Sequence, residues 1–196
     1  MLGLDPFKRL LGEFGGLSIW ATGGAVAVPF AAALVDLSPP WPRGIVLVTG
    51  IAELLVLALV YQSLSTAGRR RTQRVMIRAT VGVAVAALAY LVLLSLFTYE
   101  VPTTGERFVK GFECTPAASA VFAEACPDLG REELRTAEFE AENLWTRGSI
   151  ATMRLLLVVL WSATFVCLSL ALGSFLVFQL RATLREEEAS RRKASA

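Results

Sequence analysis

Residues 44–64 read GIVLVTGIAELLVLALVYQSL, a stretch in which Glu53 is the only charged residue. A bilayer has a hydrocarbon core about 30 Å thick, and a helix needs roughly 20 apolar residues to cross it. Residues 17–35, 79–99 and 155–180 have a similar length and contain no charged residue. We therefore predict an all-α polytopic membrane protein, a bundle of four transmembrane helices at residues 17–35, 44–64, 79–99 and 155–180.

The composition agrees with this fold class. Hydrophobic residues make up 55% of the 196 residues and charged residues 18%, whereas about a quarter of an ordinary soluble domain is charged. Lipid offers no partner to an unpaired backbone N–H or C=O group, so each crossing segment must satisfy its own hydrogen bonds as a helix. The apolar excess argues against a soluble enzyme.

The positions of Lys and Arg predict the orientation. Residues 65–78 carry five arginines and no acid, and residues 181–196 carry five basic residues. Such segments lie on the cytoplasmic side, because cytoplasmic loops carry an excess of Lys and Arg. Residues 100–154 contain ten acids against six bases, which favours the opposite side. We expect a multi-pass protein of the inner (plasma) membrane, with a basic cytoplasmic loop at 65–78, a cytoplasmic tail at 181–196 and both termini in the cytoplasm.

Residues 1–16 precede the first span and have apolar side chains at helical spacing, at Leu4, Phe7, Leu11 and Phe14. Charged residues occupy the other faces. This pattern predicts a short cytoplasmic helix that lies in the membrane interface.

Residues 100–154, between the third and fourth spans, are too long for a bare loop. Thr115 followed by Pro116 is typical of a helix start, and we expect that helix to reach about Ala125. A second helix is predicted over residues 130–144. The segment is therefore interpreted as a small helical extracytoplasmic cap. Its apolar residues are so few that we expect no core of its own, only packing on the spans or on a neighbouring subunit.

Two cysteines, Cys114 and Cys126, fall in this predicted cap. Thiols in an oxidising compartment commonly form disulfides, which leaves three alternatives: a structural disulfide within the chain, a bridge between subunits, or free redox-active thiols. A ten-residue helix between them would be about 15 Å long, whereas bridged Cα atoms lie about 4.4 to 6.8 Å apart. An intrachain bond therefore requires a shorter helix or a segment that folds back. The third cysteine, Cys167, is expected to be a packing residue in the fourth span.

Four spans with outer cysteines between the third and fourth resemble the topology of bacterial membrane oxidoreductases of the DsbB type. Those enzymes pass electrons from thiols to quinone through a second cysteine pair between the first two spans, and here that hairpin reads DLSPPWPRG, without cysteine. The loop sizes are similar to those of tetraspanins, but the Cys-Cys-Gly signature is absent. Both resemblances concern topology alone and assign no functional residue.

Glu53 is the sharpest candidate site. A charged residue in the middle of a span is unfavourable by about 2.5 to 3.5 kcal/mol on insertion scales, so its side chain should face protein or water. Three interpretations are open. The carboxyl is neutral and links helices, with Thr22, Tyr90, Ser162 or Thr164 as partner; or it lines a cation pathway as a ring in a homo-oligomer; or it is a proton-coupled transport site.

Small residues at four-residue spacing predict close helix contacts within a bundle or between subunits. They lie at Gly23, Ala27 and Ala31, at Gly82 and Ala86, and at Ala163, Cys167 and Ala171.

The chain has no histidine, and no phosphate-binding loop, nucleophile motif or thiolate metal cluster. We therefore expect no metal, no cofactor, no nucleic-acid partner and no catalysis. The leading hypothesis is an oligomeric pore or channel, or a membrane-acting effector such as bacterial defence systems encode. The alternative is a non-catalytic accessory or assembly subunit, and a thiol-redox membrane protein comes third. The expected partners are the lipid bilayer and either further copies of the chain or another membrane protein.

Overall fold

The computed structural model describes residues 17–42, 44–102 and 104–194, with side chains from residue 23 except at positions 25–26, 131, 180 and 182–194. The interfacial helix predicted for residues 1–16 lies outside the described residues. The described chain is mostly helical. It also contains one two-stranded antiparallel sheet, so the predicted all-α class needs correction at this small hairpin.

The elements follow one another along the chain with short connections. In order they are α1 (Leu17–Leu34), α2 (Ile45–Leu64), α3 (Arg69–Phe97), β1 (Thr98–Glu100), β2 (Arg107–Val109), α4 (Pro116–Val121), α5 (Arg131–Thr136), α6 (Ala141–Leu144) and α7 (Arg147–Ala194).

Within the described residues, three helices are long and apolar enough to cross a membrane: α2, α3 and the part of α7 from Arg147 to Gln179. The chain is therefore compatible with a membrane protein. The predicted first span corresponds to α1, which has 18 residues and contains Pro29. The count of four spans remains a prediction.

Two helices extend beyond the predicted spans. α3 begins at Arg69, so most of the predicted loop at 65–78 is helical, and α7 includes residues 147–154 and the tail up to Ala194. Arg and Glu are good helix formers, and neither extension contains proline. At these points charged residues interrupt the apolar sequence, but the helix continues.

Two compact units divide the chain. The first takes in the described residues up to Ser38, Val46–Val85 and the residues from Ala163 onward, and the second takes in Pro39–Ile45 and Ala86–Ser162. In the first unit, many apolar side chains are exposed, and several polar ones are buried beside an apolar cluster of Val60, Leu64 and Val177. The exposed apolar residues include Leu47, Val48, Ile51, Leu54, Leu55, Leu59, Ile77, Val81 and Val85, whereas Thr49, Glu53, Thr72, Ser169 and Ser174 are buried. A lipid solvent favours this distribution.

α2 and α7 run in the same direction where they meet in the first unit. Ser169 contacts Glu53, and Arg181, three turns later on α7, contacts the carbonyl of Leu64 at the end of α2. Residue numbers therefore increase together along the two helices. Two membrane spans run in the same direction when the chain crosses the membrane once between them.

α3 runs in the opposite direction to α7. The guanidinium of Arg69 lies 4.9 Å from the centroid of the Phe178 ring. Further along α3, Gly82 lies against Cys167, which precedes Phe178 on α7. The alternating directions of α2, α3 and α7 agree with consecutive crossings of one membrane.

The segment from residue 98 to residue 146, here named the connector, belongs to the second unit. β1 and β2 pair with Thr98 opposite Val109, and Tyr99 stacks on Phe108 across the strands at 6.0 Å between ring centroids. Contrary to the prediction, the connector has a buried apolar cluster. Its members are Ala118, Leu129, Leu134, Leu144 and Trp145, joined by Ile150 from the first turns of α7.

The prediction of one continuous helix over residues 130–144 is wrong, since the structure divides this range into α5 and α6. Glu138 and Phe139 between them have φ angles of 53° and 60°, a left-handed conformation that interrupts a helix. The hydroxyl of Tyr99 donates to the carbonyl of Phe139 at 2.8 Å, and the Phe139 N–H donates to the Leu134 carbonyl at 2.8 Å. These bonds hold the break in place.

Candidate functional site

Glu53 lies in the interior of the first unit, between α2 and α7, and its side chain is 0% exposed. The Ser169 hydroxyl donates to Oε1 of Glu53 at 3.5 Å. The second oxygen, Oε2, is buried and has no hydrogen-bond partner among the described residues. The carboxyl is thus enclosed by its own chain, and one of its two oxygens has no described hydrogen-bond partner.

The described partner of Glu53, Ser169, is not one of the four predicted ones. Among those, the side chain of Thr22 lies outside the described ones. Tyr90 belongs to the second unit, where it packs on Trp161 at 5.5 Å between ring centroids. Ser169 was not predicted as the partner, because many serines and threonines occur in the spans and spacing alone does not show which of them faces Glu53.

Small residues on α7 let it approach α2 closely. At Gly173, four residues after Ser169, an added Cβ atom would lie 2.9 Å from Cγ1 of Val60 and 3.3 Å from Cδ2 of Leu57. Ser169 and Gly173 therefore form a small-residue pair at helical spacing that places the Ser169 hydroxyl within reach of the carboxyl. This pair was the available signal, although the predicted stripe at Ala163, Cys167 and Ala171 lies on another face.

One predicted small-residue contact is present between α3 and α7. A Cβ atom at Gly82 would lie 2.9 Å from Sγ of Cys167. Glycine at this position thus makes room for the cysteine side chain. This contact gives Cys167 the packing role that was expected of it.

Two further buried hydroxyls of the first unit lack described partners, those of Thr72 and Ser174. Ser174 follows Gly173 directly. Thr72 lies one turn after Arg69, which contacts Phe178. Glu53, Ser174 and Thr72 are therefore distributed beside the part of α7 from Ser169 to Phe178, which is roughly 13 Å long along the helix axis. Among the described residues, the interior thus holds a series of three polar side chains with an atom that lacks a described partner: Glu53, Ser174 and Thr72.

Arg181 marks the end of this series. Its guanidinium donates to the carbonyls of Leu64 and Ala67, and to that of Ser65 at 2.6 Å. The last carbonyls of a helix have no partner within it and carry partial negative charge. Arg181 therefore caps the C-terminal end of α2, a role that the positive charge of the tail did not reveal.

The cysteine pair of the connector meets the geometric requirement of an intrachain bond. The sulfur atoms of Cys114 and Cys126 are 2.11 Å apart and the Cα atoms 6.2 Å apart. As predicted, Thr115 caps α4: its hydroxyl accepts from the Ala118 N–H at 3.2 Å. α4 ends at Val121 instead of Ala125, which brings Cys126 back to Cys114.

Trp145 holds the connector together and was not singled out from the sequence. Its side chain is 0% exposed, and its Nε1 donates to the Pro127 carbonyl at 3.0 Å. At Gly111, an added Cβ atom would lie 2.6 Å from Cβ of Trp145 and would overlap Oγ of Ser149. The chain therefore passes the tryptophan at a point where only glycine fits.

Within the described part of the chain, no group of three or more carboxylate or cysteine side chains is placed to hold a metal ion. None of the protein-family models, curated proteins or solved structures compared with the chain matches it.

Proposed function

We propose that the protein is a membrane pore or channel in which a proton or small cation passes through the interior of each chain, with Glu53 as the group that binds it. The observation that carries this proposal is the placement of Glu53. It is fully buried between two membrane-compatible helices, with one oxygen bonded to Ser169 and the other without a described partner. Carboxyl groups at such depth commonly mark ion or proton pathways.

The enclosure of Glu53 favours a path inside the chain over a ring of carboxylates between subunits. A residue that lines a central pore of an oligomer is exposed on the surface of a single subunit. Glu53 is 0% exposed in the single chain. The proposed path therefore needs no homo-oligomer, although further copies or a membrane partner are compatible with it.

The unpartnered hydroxyls of Thr72 and Ser174 supply the next polar positions of the path. Buried polar groups are nearly always hydrogen-bonded to protein or to water. Hydroxyls both donate and accept, so water molecules bound to them would relay a proton or coordinate a cation. The series from Glu53 to these hydroxyls runs toward the end of α2, where Arg181 lies.

The proposal includes four spans, both termini in the cytoplasm and the connector as a cap outside the plasma membrane. The common direction of α2 and α7 supports consecutive crossings, and the arginines at the start of α3 favour the cytoplasm for that end. In this orientation the two hydroxyls lie on the cytoplasmic side of Glu53. A path of this kind, when open, would dissipate an ion gradient, which is the action of a membrane-disrupting effector.

The test compares Glu53→Gln with the wild-type chain in liposomes under a proton or potassium gradient. Glutamine keeps the shape and the hydrogen bond to Ser169 but cannot ionise, so we expect flux at least tenfold lower. Glu106→Gln is the matched control, because Glu106 is an exposed carboxyl of the connector, and it should retain wild-type flux. Circular dichroism and gel filtration of all three proteins verify that folding and subunit number are unchanged.

Two outcomes would contradict conduction through Glu53. One is wild-type flux in Glu53→Gln with intact folding, which would leave the carboxyl as a link between α2 and α7. The other is the absence of flux above protein-free liposomes for the wild-type chain under both gradients and at either polarity of membrane potential.

The second candidate is a non-catalytic accessory subunit that holds a partner through the connector. The connector surface carries two exposed apolar side chains: Val121 is 72% exposed and Phe112 48%. A cleft of about 890 Å³ lies beside β1 and α5. Exposed apolar side chains on a charged surface are typical of interaction sites.

A photo-crosslinking residue placed at Val121 tests this second function in native membranes. One adduct of defined mass is expected there, and none from the same residue at the exposed position Glu124. Equal labelling at both positions, or none at either, would speak against a partner at this surface.

A further inference from the structure

The first turns of α3 carry five exposed arginines, of which Arg69 lies over the Phe178 ring and the other four are Arg70, Arg71, Arg74 and Arg78. The first turn contains no acidic residue. None of these four arginines forms a salt bridge with a carboxylate whose side chain the structure describes. Among the described side chains, a salt bridge joins Arg147 and Glu142 in the second unit. Four cations thus lie close together on one helix without a described counter-charge.

This arrangement is unfavourable by itself. The N-terminal end of a helix carries partial positive charge and is stabilised by anions. Like charges four residues apart, such as Arg70 and Arg74, also destabilise a helix. An external anion would remove both penalties.

The arginines lie on the side of α3 that is exposed and, further along the helix, apolar. Arg70, Arg74, Ile77, Val81 and Val85 recur at spacings of three and four, so they share one face of the helix. The three apolar members are 52% to 63% exposed. The opposite face carries the buried Thr72 and Ala79, which point into the first unit. The arginines therefore continue the apolar, lipid-exposed surface at its end.

We propose that Arg70, Arg71, Arg74 and Arg78 form a binding surface for the headgroups of anionic phospholipids, whose acyl chains lie along Ile77, Val81 and Val85. The guanidinium groups pair with the phosphate and other anionic oxygens, often through two parallel hydrogen bonds. The adjacent apolar side chains bind the tails. A soluble anion would use only the first of these contacts, and the combination commits the surface to a lipid. The proposal does not depend on conduction through Glu53.

Native mass spectrometry of the detergent-solubilised chain tests it, with phosphatidylglycerol and phosphatidylcholine of equal chain length supplied together. We expect the wild-type chain to retain phosphatidylglycerol in preference to phosphatidylcholine. A factor of about five per arginine near an anionic headgroup gives a loss of this preference of roughly 25-fold in Arg70→Gln/Arg74→Gln. Arg70→Lys/Arg74→Lys keeps the charges and should retain most of it.

The matched control replaces two exposed arginines of the second unit, Arg135→Gln/Arg147→Gln, and should leave the preference unchanged. Inorganic phosphate at millimolar concentration has the charge without the acyl chains and should not displace the lipid. The proposal fails if the Arg70→Gln/Arg74→Gln variant keeps the wild-type preference, if the control loses it equally, or if phosphate displaces phosphatidylglycerol completely. Detergent-solubilised protein has no membrane orientation, so the measured lipid preference does not depend on which side of the membrane the arginines face.

Discussion

The first unit and the connector differ in how many polar side chains they bury. Inside the first unit, the polar residues Thr49, Glu53, Thr72, Ser169 and Ser174 are buried beside an apolar cluster of Val60, Leu64 and Val177, and the surface of this unit is rich in exposed leucine, isoleucine and valine. Inside the connector lie Leu129, Leu134, Leu144 and Trp145, while its glutamates at 100, 106, 113, 124 and 132 are exposed. The same chain thus follows two different rules for what it buries.

The difference indicates two solvents. Water drives apolar side chains inward because their exposure is unfavourable by about 25 cal/mol per Å². Lipid removes that force, so contacts between membrane helices rely on small residues and polar side chains. In the connector, stability should depend on apolar volume and on the covalent bond. In the first unit it should depend on a few hydrogen bonds.

The largest effect is expected from loss of apolar volume in the connector. Trp145→Ala removes a side chain that is 0% exposed, and replacement of a buried tryptophan by alanine lowers the free energy of unfolding by about 4 kcal/mol. Pulse proteolysis of the connector across a denaturant series measures the loss. Trp41→Ala is the control, because Trp41 is 49% exposed and should change stability by less than about 0.5 kcal/mol. Equal effects of the two would show that the connector has no apolar core.

The core around Trp145 illustrates what the sequence could not predict. The long helices follow from apolar runs, and the helix cap at Thr115 from a local pattern. Trp145 instead meets Pro127 and Gly111, and Glu53 meets Ser169. These contacts join residues far apart in the sequence, so they depend on how helices and strands align in space. The break at Glu138 and Phe139 is likewise fixed by a distant hydroxyl, that of Tyr99.

The second effect concerns the covalent closure of the connector. The Cys114→Ser/Cys126→Ser variant lacks the disulfide, which joins residues 12 positions apart in the sequence. Without this bond the unfolded chain is less restricted, so the free energy of unfolding falls by about 3 kcal/mol. The same proteolysis assay measures it. Cys167→Ala should leave the connector unaffected. A disulfide-linked dimer on a nonreducing gel would indicate the intersubunit bridge instead, and thiol-dependent quinone reduction lost in the double variant would indicate a redox enzyme.

A smaller effect is expected where the first unit relies on a charged hydrogen-bond donor. Arg181→Gln removes the guanidinium that binds the carbonyls of Leu64, Ser65 and Ala67. Hydrogen bonds from a charged group suggest a loss of about 2 kcal/mol. The unfolding midpoint of the chain in a detergent titration measures it, with the exposed Arg135→Gln as control. If both variants unfold at the same midpoint, the end of α2 needs no cap.

The smallest effect concerns a hydrogen bond at the connector core, the one that the Tyr99 hydroxyl donates to the Phe139 carbonyl. Burial raises the pKa of Tyr99 to about 12, and the charge of Arg154 lowers it in part. An unfolded chain loses the tyrosine proton near pH 10, so between pH 10 and pH 12 deprotonation favours the unfolded chain. The stability that Tyr99 supplies is therefore complete below pH 10 and falls as the pH rises toward 12.

Tyr99→Phe lacks this titration and also lacks the hydrogen bond to Phe139, which should lower stability by about 1 kcal/mol at neutral pH. Denaturation of both proteins from pH 8 to pH 12 should then show a stability difference that is constant up to pH 10 and shrinks above it. A difference that stays constant to pH 12 would mean that the Tyr99 hydroxyl titrates alike in the folded and unfolded chain, and that the connector core does not enclose it.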